Sequence, residues 1–595
     1  MKPRRTLSPA WRSALWVLLA VLTALGYLFQ LGGDHIPRNG DELVYAHIAR
    51  LTAESGHWLP LVSSYDFMRN TKPPLLFWQA MVAGGWGDHW SLLNLRLPSV
   101  VYLWLTALMV GLVTRKIARE LNTQSPHPSP LQKPTSYGEG TMQGAIAAIV
   151  FLSFFSTYRY GRPYLTSAPE TFWLCGVFLA LAWSPTALLA SRWKFPLLAG
   201  LAIGVGSLYK SFAMVVPVAF GLALCYQVIQ AKRLPWQIIR PGIAFDIARV
   251  AAISIIAVAV FGLWFAVDPL PGEVWREFVV GENAGKFKSS DGYLKLAFSG
   301  SGGVLVILTG YFVNAGLLLP LAIGCAWTAW RSYRERHGTG QTISDAEKVM
   351  WLWLLALAIV FMLPSQRSAR YLIPAMPAVA VLIALYWSRI GRIWFSLTLV
   401  FCILGVAAIG VIGAGALRAT DDYGAYSPFF WALLVLTVGT CVVGIVKSQW
   451  ARAITATAGF AFLLALAWVT APFNGPLGQF KPETIALVKG QQISVPNNFN
   501  GQFERYQFLL TGAKIVPYDA PQPVDYADVD TLLKTSRYAL VQRRKGKLPC
   551  TECRIIDVRW DIRSRQDPKE GTWAALTSPD TFWYSQEYLV ERLAQ

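Results

Sequence analysis

The sequence predicts a mainly α fold, a polytopic transmembrane helical bundle carrying a small C-terminal α/β domain outside the membrane. Three observations lead there. Hydrophobic residues make up 54% of the 595 and charged residues only 15%, against about 25% charged in a soluble domain. Apolar runs long enough to cross a bilayer recur along most of the chain. From residue 472 the composition shifts to strand-like runs, turn-forming Pro and Asn, and many charges. These place a membrane domain at 1–471 and an extracytoplasmic α/β domain at 472–595.

The first element is short and basic, with Lys2, Arg4, Arg5 and Arg12 ahead of the apolar run Ala14–Leu31. Its flanks are those of a signal peptide, but a small-residue cleavage site is missing, so it reads as an uncleaved first span with its N-terminus in the cytoplasm. Apolar runs of roughly 17–25 residues then give about thirteen spans: 11–31, 92–114, 142–157, 168–188, 194–209, 211–230, 247–267, 301–330, 348–364, 371–388, 393–414, 428–446 and 451–471. The 194–230 pair is broken only by Tyr209-Lys210-Ser211. From a cytoplasmic start the inside loops include 115–141, Ala231–Arg240, Arg331–Lys348 and Lys447–Arg452, all basic as the positive-inside rule requires. The outside then holds a first loop at 32–91, a short Thr157–Ser167 connection, a loop at 268–302, Ser365–Arg370 and the tail. The Pro/Ser-rich insertion Gln124–Gly140 reads as a disordered cytoplasmic loop.

The net charge of +19 does not point to nucleic acid, because the basic residues sit in membrane-flanking loops. Acidic head groups or a phosphate-bearing substrate are the partners it fits. Of seven cysteines, Cys175, Cys225, Cys325, Cys402 and Cys441 fall in apolar runs as small hydrophobes. Cys550 and Cys553 have neither zinc partners nor a βαβ context nearby, and outside the cytoplasm a local disulfide fits them. In the tail, Ile493–Val495, Ala539–Val541 and Arg554–Val558 read as strands, and Arg543–Lys547 as a solvated charge run.

The stretch Pro37–Pro74 stands apart, because ionisable groups crowd it between apolar segments: Arg38, Asp41, Glu42, His47, Arg50, Glu54, His57, Asp66, Arg69 and Lys72. Such groups beside a bilayer are solvated, paired or functional. Asn39-Gly40 signals a turn, Asp41 can cap the helix that follows, and Leu43, Tyr45, Ile48 and Leu51 give that helix an amphipathic pattern suited to the membrane surface. Lys72-Pro73-Pro74 ends the segment and opens a new helix. His47 and His57 read as surface histidines.

Asp41-Glu42, Tyr45, Ala49-Arg50, Glu54-Ser55-Gly56, Trp58, Lys72-Pro73-Pro74-Leu75 and Leu95-Arg96-Leu97-Pro98-Ser99 together resemble the first external loop of the GT-C membrane glycosyltransferases. Among these the chain is most similar to the bacterial aminoarabinose transferases that modify lipid A, a branch related to the protein O-mannosyltransferases. The likeness runs in order over residues 11–390. It implies that the family's essential acidic residue falls on Asp41, with Glu42 beside it. Lys210-Ser211 matches a Lys-Gly of the family, Glu282-Asn283-x-x-Lys286-Phe287 its Glu-Asn-x-x-x-Phe element, and Arg370-Tyr371-x-x-Pro374 its Arg-Tyr-x-x-Pro signature. One element departs from the pattern: Arg162 is in place, but the usual Asp is Ser167, and Glu170 lies one helical turn further on. For that reason the amino-sugar donor is not carried over.

Glycosyl transfer from a lipid phosphate needs cations for the leaving phosphate, an acceptor held in line, and a carboxylate at the reacting centre. Asp41 supplies the carboxylate, or is a plain helix cap. Lys72 is a phosphate ligand, or snorkels toward head groups; Arg38, Arg50 and Arg69 repeat the argument more weakly. Lys210, alone between two spans, is a phosphate ligand or a helix-end anchor. Arg367 and Arg370 lie at the outer face, where topology disfavours cations and an anionic lipid phosphate accounts for them. Glu170, inside an apolar span, is a functional candidate. The histidines and cysteines form no dense metal cluster, and Mg²⁺ or Zn²⁺ stays open as a cofactor.

The sequence thus predicts a glycosyltransferase of the bacterial inner membrane, moving a sugar from a polyprenyl-phosphate (undecaprenyl-phosphate) donor to a lipid A-type or other envelope acceptor on the periplasmic face. The alternatives are protein O-glycosylation, a lipid-linked-sugar transporter, or a catalytically silent polyprenyl-lipid binder. A transporter should show paired halves with matching broken helices, and this sequence has neither.

Overall fold

Backbone N–H and C=O groups in hydrocarbon must pair within their own segment, and each of the thirteen apolar runs accordingly holds a helix. A computed structural model describes residues 9–37, 41–64, 69–123, 137–230, 243–287, 302–339, 343–497, 501–519, 528–563 and 571–593. Among these, nine helices are long and apolar enough to cross a membrane, or ten if the pair Glu139–Ser153 and Phe155–Gly161, bent by 60°, counts as one span. That is fewer than the expected thirteen. Ser167–Trp183 and Lys194–Ser207 have only 17 and 14 residues, and Asp345–Met362 begins with Asp345, Glu347 and Lys348. The 194–230 segment does break at Tyr209-Lys210-Ser211: Ser211 is extended, and its hydroxyl caps the turn Phe212–Met214.

The bundle is hydrophobic on both sides. Inside, Phe178 stacks on Trp353 with centroids 4.1 Å apart. Outside, Leu15 and Leu18, Phe245 and Ile255, and Val435 and Leu436 are exposed, which suits a surface bathed in lipid. The inserted loop is only partly as expected: Tyr137–Ser153 is helical from Tyr137, and 124–136 lies outside the described residues, as do Arg38 and Asp66.

The first external loop departs from expectation. Its helix, Asp41–Glu54, does not lie on a membrane surface with one face wet; Glu42 through Ala49 are all buried. The reason is packing from several sides: Tyr45, Ala46, Ile48 and Ala49 cluster with Leu76, Phe77, Leu95 and Tyr164, and the C-terminal domain covers the face that carries His47. That domain is a five-stranded sheet in the order β2-β1-β3-β5-β4. Its strands are β1 (Gln492–Asn497), β2 (Lys514–Asp519), β3 (Tyr538–Arg543), β4 (Cys553–Ile562) and β5 (Tyr584–Arg592). β1 pairs in parallel with β2 and β3, and β5 is antiparallel to β3 and β4. The three strand-like runs fall in β1, β3 and β4; β2 and β5 were not legible. Cys550 and Cys553 form a disulfide. The Arg543–Lys547 run is not merely solvated: Arg543 is buried, donating to Gln542 O and Pro549 O, and Lys545 pairs with Asp421 at 2.7 Å, tying the domain to the helix Arg392–Thr420.

Candidate active site

A helix advances about 100° per residue, so adjacent residues of Asp41–Glu54 face different neighbours. Asp41 and Tyr45 point into a cavity of about 630 Å³. Lys72, Lys210, Glu282, Arg370 and Tyr371 also line it, drawn from segments far apart in sequence. Lys72 is delivered by the Pro73-Pro74 stop, Lys210 by the break before Ser211, and Arg370 by a 3₁₀ turn, Ala369–Ala375, capped by Ser368.

Each cation in the cavity meets a carboxylate. Arg370 places both Nη atoms 3.5 Å from Asp41 Oδ2, and its guanidinium lies over the Tyr160 ring at 4.8 Å. Lys72 Nζ donates to Glu282 Oε1 at 2.9 Å and sits 5.9 Å from the Tyr45 ring centre. Lys210 Nζ donates to Glu170 Oε2 at 2.7 Å and lies 5.9 Å from the Tyr371 ring centre. Asp41 and Arg370 are each about one-third exposed (31% and 33%), whereas Glu170 is 1% exposed. The Asp41–Arg370 contact is therefore the looser and more accessible pair, and Glu170 serves as the buried anchor of Lys210. Burial and the Asp41 carboxylate push the Tyr45 phenol well above its usual value, with Arg370 opposing and Glu282 adding; Tyr45 stays protonated. The far wall is apolar: Phe212, Met214, Val216, Phe361, Leu363 and Pro364.

Besides Glu170, which does not line the cavity and reaches it only through Lys210, three expected site residues lie elsewhere. Glu42 is fully buried in a two-pronged pair with Arg96 (2.7 and 3.0 Å) and accepts from Tyr164 N at 2.8 Å. Arg162 is fully buried; it donates to Tyr27 O, Phe29 O and the Tyr158 hydroxyl, strapping the first helix to Phe155–Gly161. Arg367 is 6% exposed and donates to Met362 O at 2.8 Å. Each sits among main-chain or ion-pair partners rather than on the cavity wall. Ser167, where the usual Asp would stand, is buried at the start of Ser167–Trp183.

Sequence reasoning missed Ser211 and Asn283 as a pair: Ser211 Oγ donates to Asn283 Oδ1 at 2.7 Å, joining the Lys210 break to the 268–302 loop. It also missed Tyr160 beneath Arg370. Arg69 pairs with Glu273 and Glu277 instead of facing the cavity. The side chains of Lys286 and Phe287 lie outside the described residues. A divalent cation would find two carboxylates in the cavity, Asp41 and Glu282, each already facing a cationic side chain. Outside it, Asp34, His35 and Asp561 cluster within 4.8 Å, with Arg505 donating to both aspartates.

No family model matches the chain. It is 25% identical over 525 residues to the undecaprenyl phosphate-alpha-4-amino-4-deoxy-L-arabinose arabinosyl transferase 1 of Sodalis glossinidius (strain morsitans), covering 85% of this chain and 81% of that one. It is 24% identical over 425 residues to the corresponding arabinosyl transferase of Serratia proteamaculans (strain 568), covering 67% and 65%. In three dimensions it aligns with ArnT from Cupriavidus metallidurans bound to undecaprenyl phosphate, over 97% of this chain and 98% of that one, with TM-score 0.56 at 16% identity. The chain has the GT-C fold with a small C-terminal sheet domain.

Proposed function

We propose that this chain, with the GT-C fold and arabinosyl transferases among its sequence relatives, is a membrane glycosyltransferase that moves a sugar from a polyprenyl-phosphate donor to a lipid A-type or other cell-envelope acceptor. One observation carries the reading: the Asp41 carboxylate and the cations Lys72, Lys210 and Arg370 open into a single cavity whose remaining wall is apolar. The apolar wall suits a prenyl chain and the cations suit its phosphate. The sugar then lies beside Asp41.

The acceptor hydroxyl attacks the anomeric carbon, the bond from that carbon to the phosphate oxygen breaks, and the acceptor proton passes to Asp41. The leaving polyprenyl phosphate keeps the bonding electron pair, and Lys72, Lys210 and Arg370 neutralise it. The loose Asp41–Arg370 contact at 3.5 Å lets Arg370 exchange the carboxylate for phosphate. With the N-terminus in the cytoplasm, this cavity and the C-terminal domain face the periplasm of the bacterial inner membrane.

The test is transfer of a labelled sugar from its polyprenyl phosphate by the full-length protein in liposomes, with lipid A and a Ser/Thr peptide offered as separate acceptors. Asp41→Asn lowers kcat by about 10²–10⁴-fold while donor still binds. Wild-type turnover in that variant overturns the role of Asp41. Movement of donor across the bilayer without transfer makes the protein a transporter, and transfer to the peptide alone makes it a protein glycosyltransferase.

A further inference from the structure

Asp41 sits on the helix Asp41–Glu54, and that helix is gripped from three directions. Asp41 and Tyr45 face the cavity. Glu42 is held by Arg96 of the membrane domain. The third face, Val44, His47 and Arg50, meets the segment 501–505 of the C-terminal domain. There Gly501, at φ 73°, comes so close that a Cβ would lie 3.3 Å from Val44 Cα. The Phe503 ring packs edge-on against His47, with centroids 5.1 Å apart.

Glu504 is the centre of this contact. It is completely buried, yet its carboxylate belongs to the soluble domain and, among the described residues, its charged partners belong to the helix. Arg50 donates from Nε to Oε1 at 2.5 Å and from Nη2 to Oε2 at 2.9 Å. His47 Nδ1 lies 2.9 Å from Oε2, and its other nitrogen lies 2.7 Å from Ser64 Oγ. A two-pronged Arg–carboxylate pair constrains both distance and angle. Together with Arg96–Glu42 on the adjacent face, it fixes the roll of the helix, and that roll determines where the Asp41 carboxylate points.

We infer that the C-terminal domain positions the reacting carboxylate, with Glu504, acting through Arg50 and His47, as a positioning residue for Asp41. This rests on the reading above that Asp41 serves glycosyl transfer. Glu504 is not among the residues that line the cavity, so its removal acts on turnover and not on donor binding.

The experiment uses the full-length protein in liposomes and compares Glu504→Gln, Arg50→Gln and the double variant, with Asp41→Asn as reference. Glu504→Gln lowers kcat on the order of 10- to 100-fold, the scale of a small misplacement of a reacting group, and leaves the donor KM within about twofold. Arg50→Gln does the same, and the double variant is no worse than either single one, because both remove one interaction. Glu504→Asp, which keeps the charge, recovers part of kcat; it is also the working variant if the amide does not fold. Wild-type kcat in Glu504→Gln, strictly multiplicative losses in the double variant, or a raised donor KM at unchanged kcat overturns the inference. If Asp41→Asn itself transfers normally, the functional reading fails first; if Asp41→Asn is inactive and Glu504→Gln is not, only this inference falls.

Discussion

Asp41 and Glu42 are neighbours with opposite environments, and the difference sets what each substitution does. Glu42 and Arg96 are fully buried partners, and breaking such a pair leaves an uncompensated charge. Arg96→Ala or Glu42→Gln therefore costs about 3–5 kcal/mol of stability, read as a lowered unfolding temperature in detergent, and any loss of transfer follows the loss of fold. Asp41→Asn leaves the unfolding temperature within a degree or two of wild type, since the group is partly exposed and its pair with Arg370 is long. Lys72→Ala and Arg370→Ala raise the donor KM in the liposome assay. Lys210→Ala does so as well, and it also removes an ion-pair partner of the buried Glu170, so it lowers stability more than the other two; equal unfolding temperatures for all three would contradict that placement.

At the scale of elements, the helix Asp41–Glu54 and the segment 501–505 form one unit with a defined pH response. Burial alone would push the Glu504 carboxyl up, but hydrogen bonds and charge from Arg50 and His47 outweigh it and hold it below the usual range. A carboxylate lowered by folding contributes its stabilisation in full above its unfolded value, about 4.3 for Glu, and loses it as pH falls through the lower folded value. The docked domain is thus stable to this group at neutral pH and loosens below about pH 4. Protease accessibility of the C-terminal domain, measured from pH 7 to 3, rises at lower pH in wild type and rises less in Glu504→Gln, which has already lost the carboxylate; an equal rise in both shows that Glu504 is not the group concerned. The disulfide Cys550–Cys553 closes a loop of only four residues. Its reduction is accordingly worth about 2 kcal/mol of the domain's stability, seen as a modest shift in its denaturation midpoint.

For the whole molecule, the same bundle must offer apolar faces to lipid and an ionic cavity to one aqueous side. Exposed Leu15, Phe245, Ile255 and Val435 mark the lipid belt, and basic segments such as Arg331–Arg336 mark one rim. With single cysteines placed in turn at Ser64 and Ser191, a membrane-impermeant reagent applied to spheroplasts labels the first and not the second. Reversed labelling would put the cavity on the cytoplasmic face and remove access to an outer-leaflet acceptor.

Local signals in the sequence determined the membrane class, the break at Tyr209-Lys210-Ser211, the soluble tail, and the presence of Asp41, Lys72, Lys210 and Arg370 as candidates. Length of apolar run, proline stops and isolated charges act within a few residues, so they can be read without knowing the fold. Which of those charges meet was decided only in three dimensions. Glu42 and Arg162 look as functional as Asp41 and Arg370 on the page, but helix rotation turned them to Arg96 and to main-chain carbonyls. His47 reads as a surface residue because its partner Glu504 lies 457 positions away. Hydrogen-bond and ion-pair partners are chosen by packing between elements, and no spacing along the chain encodes that.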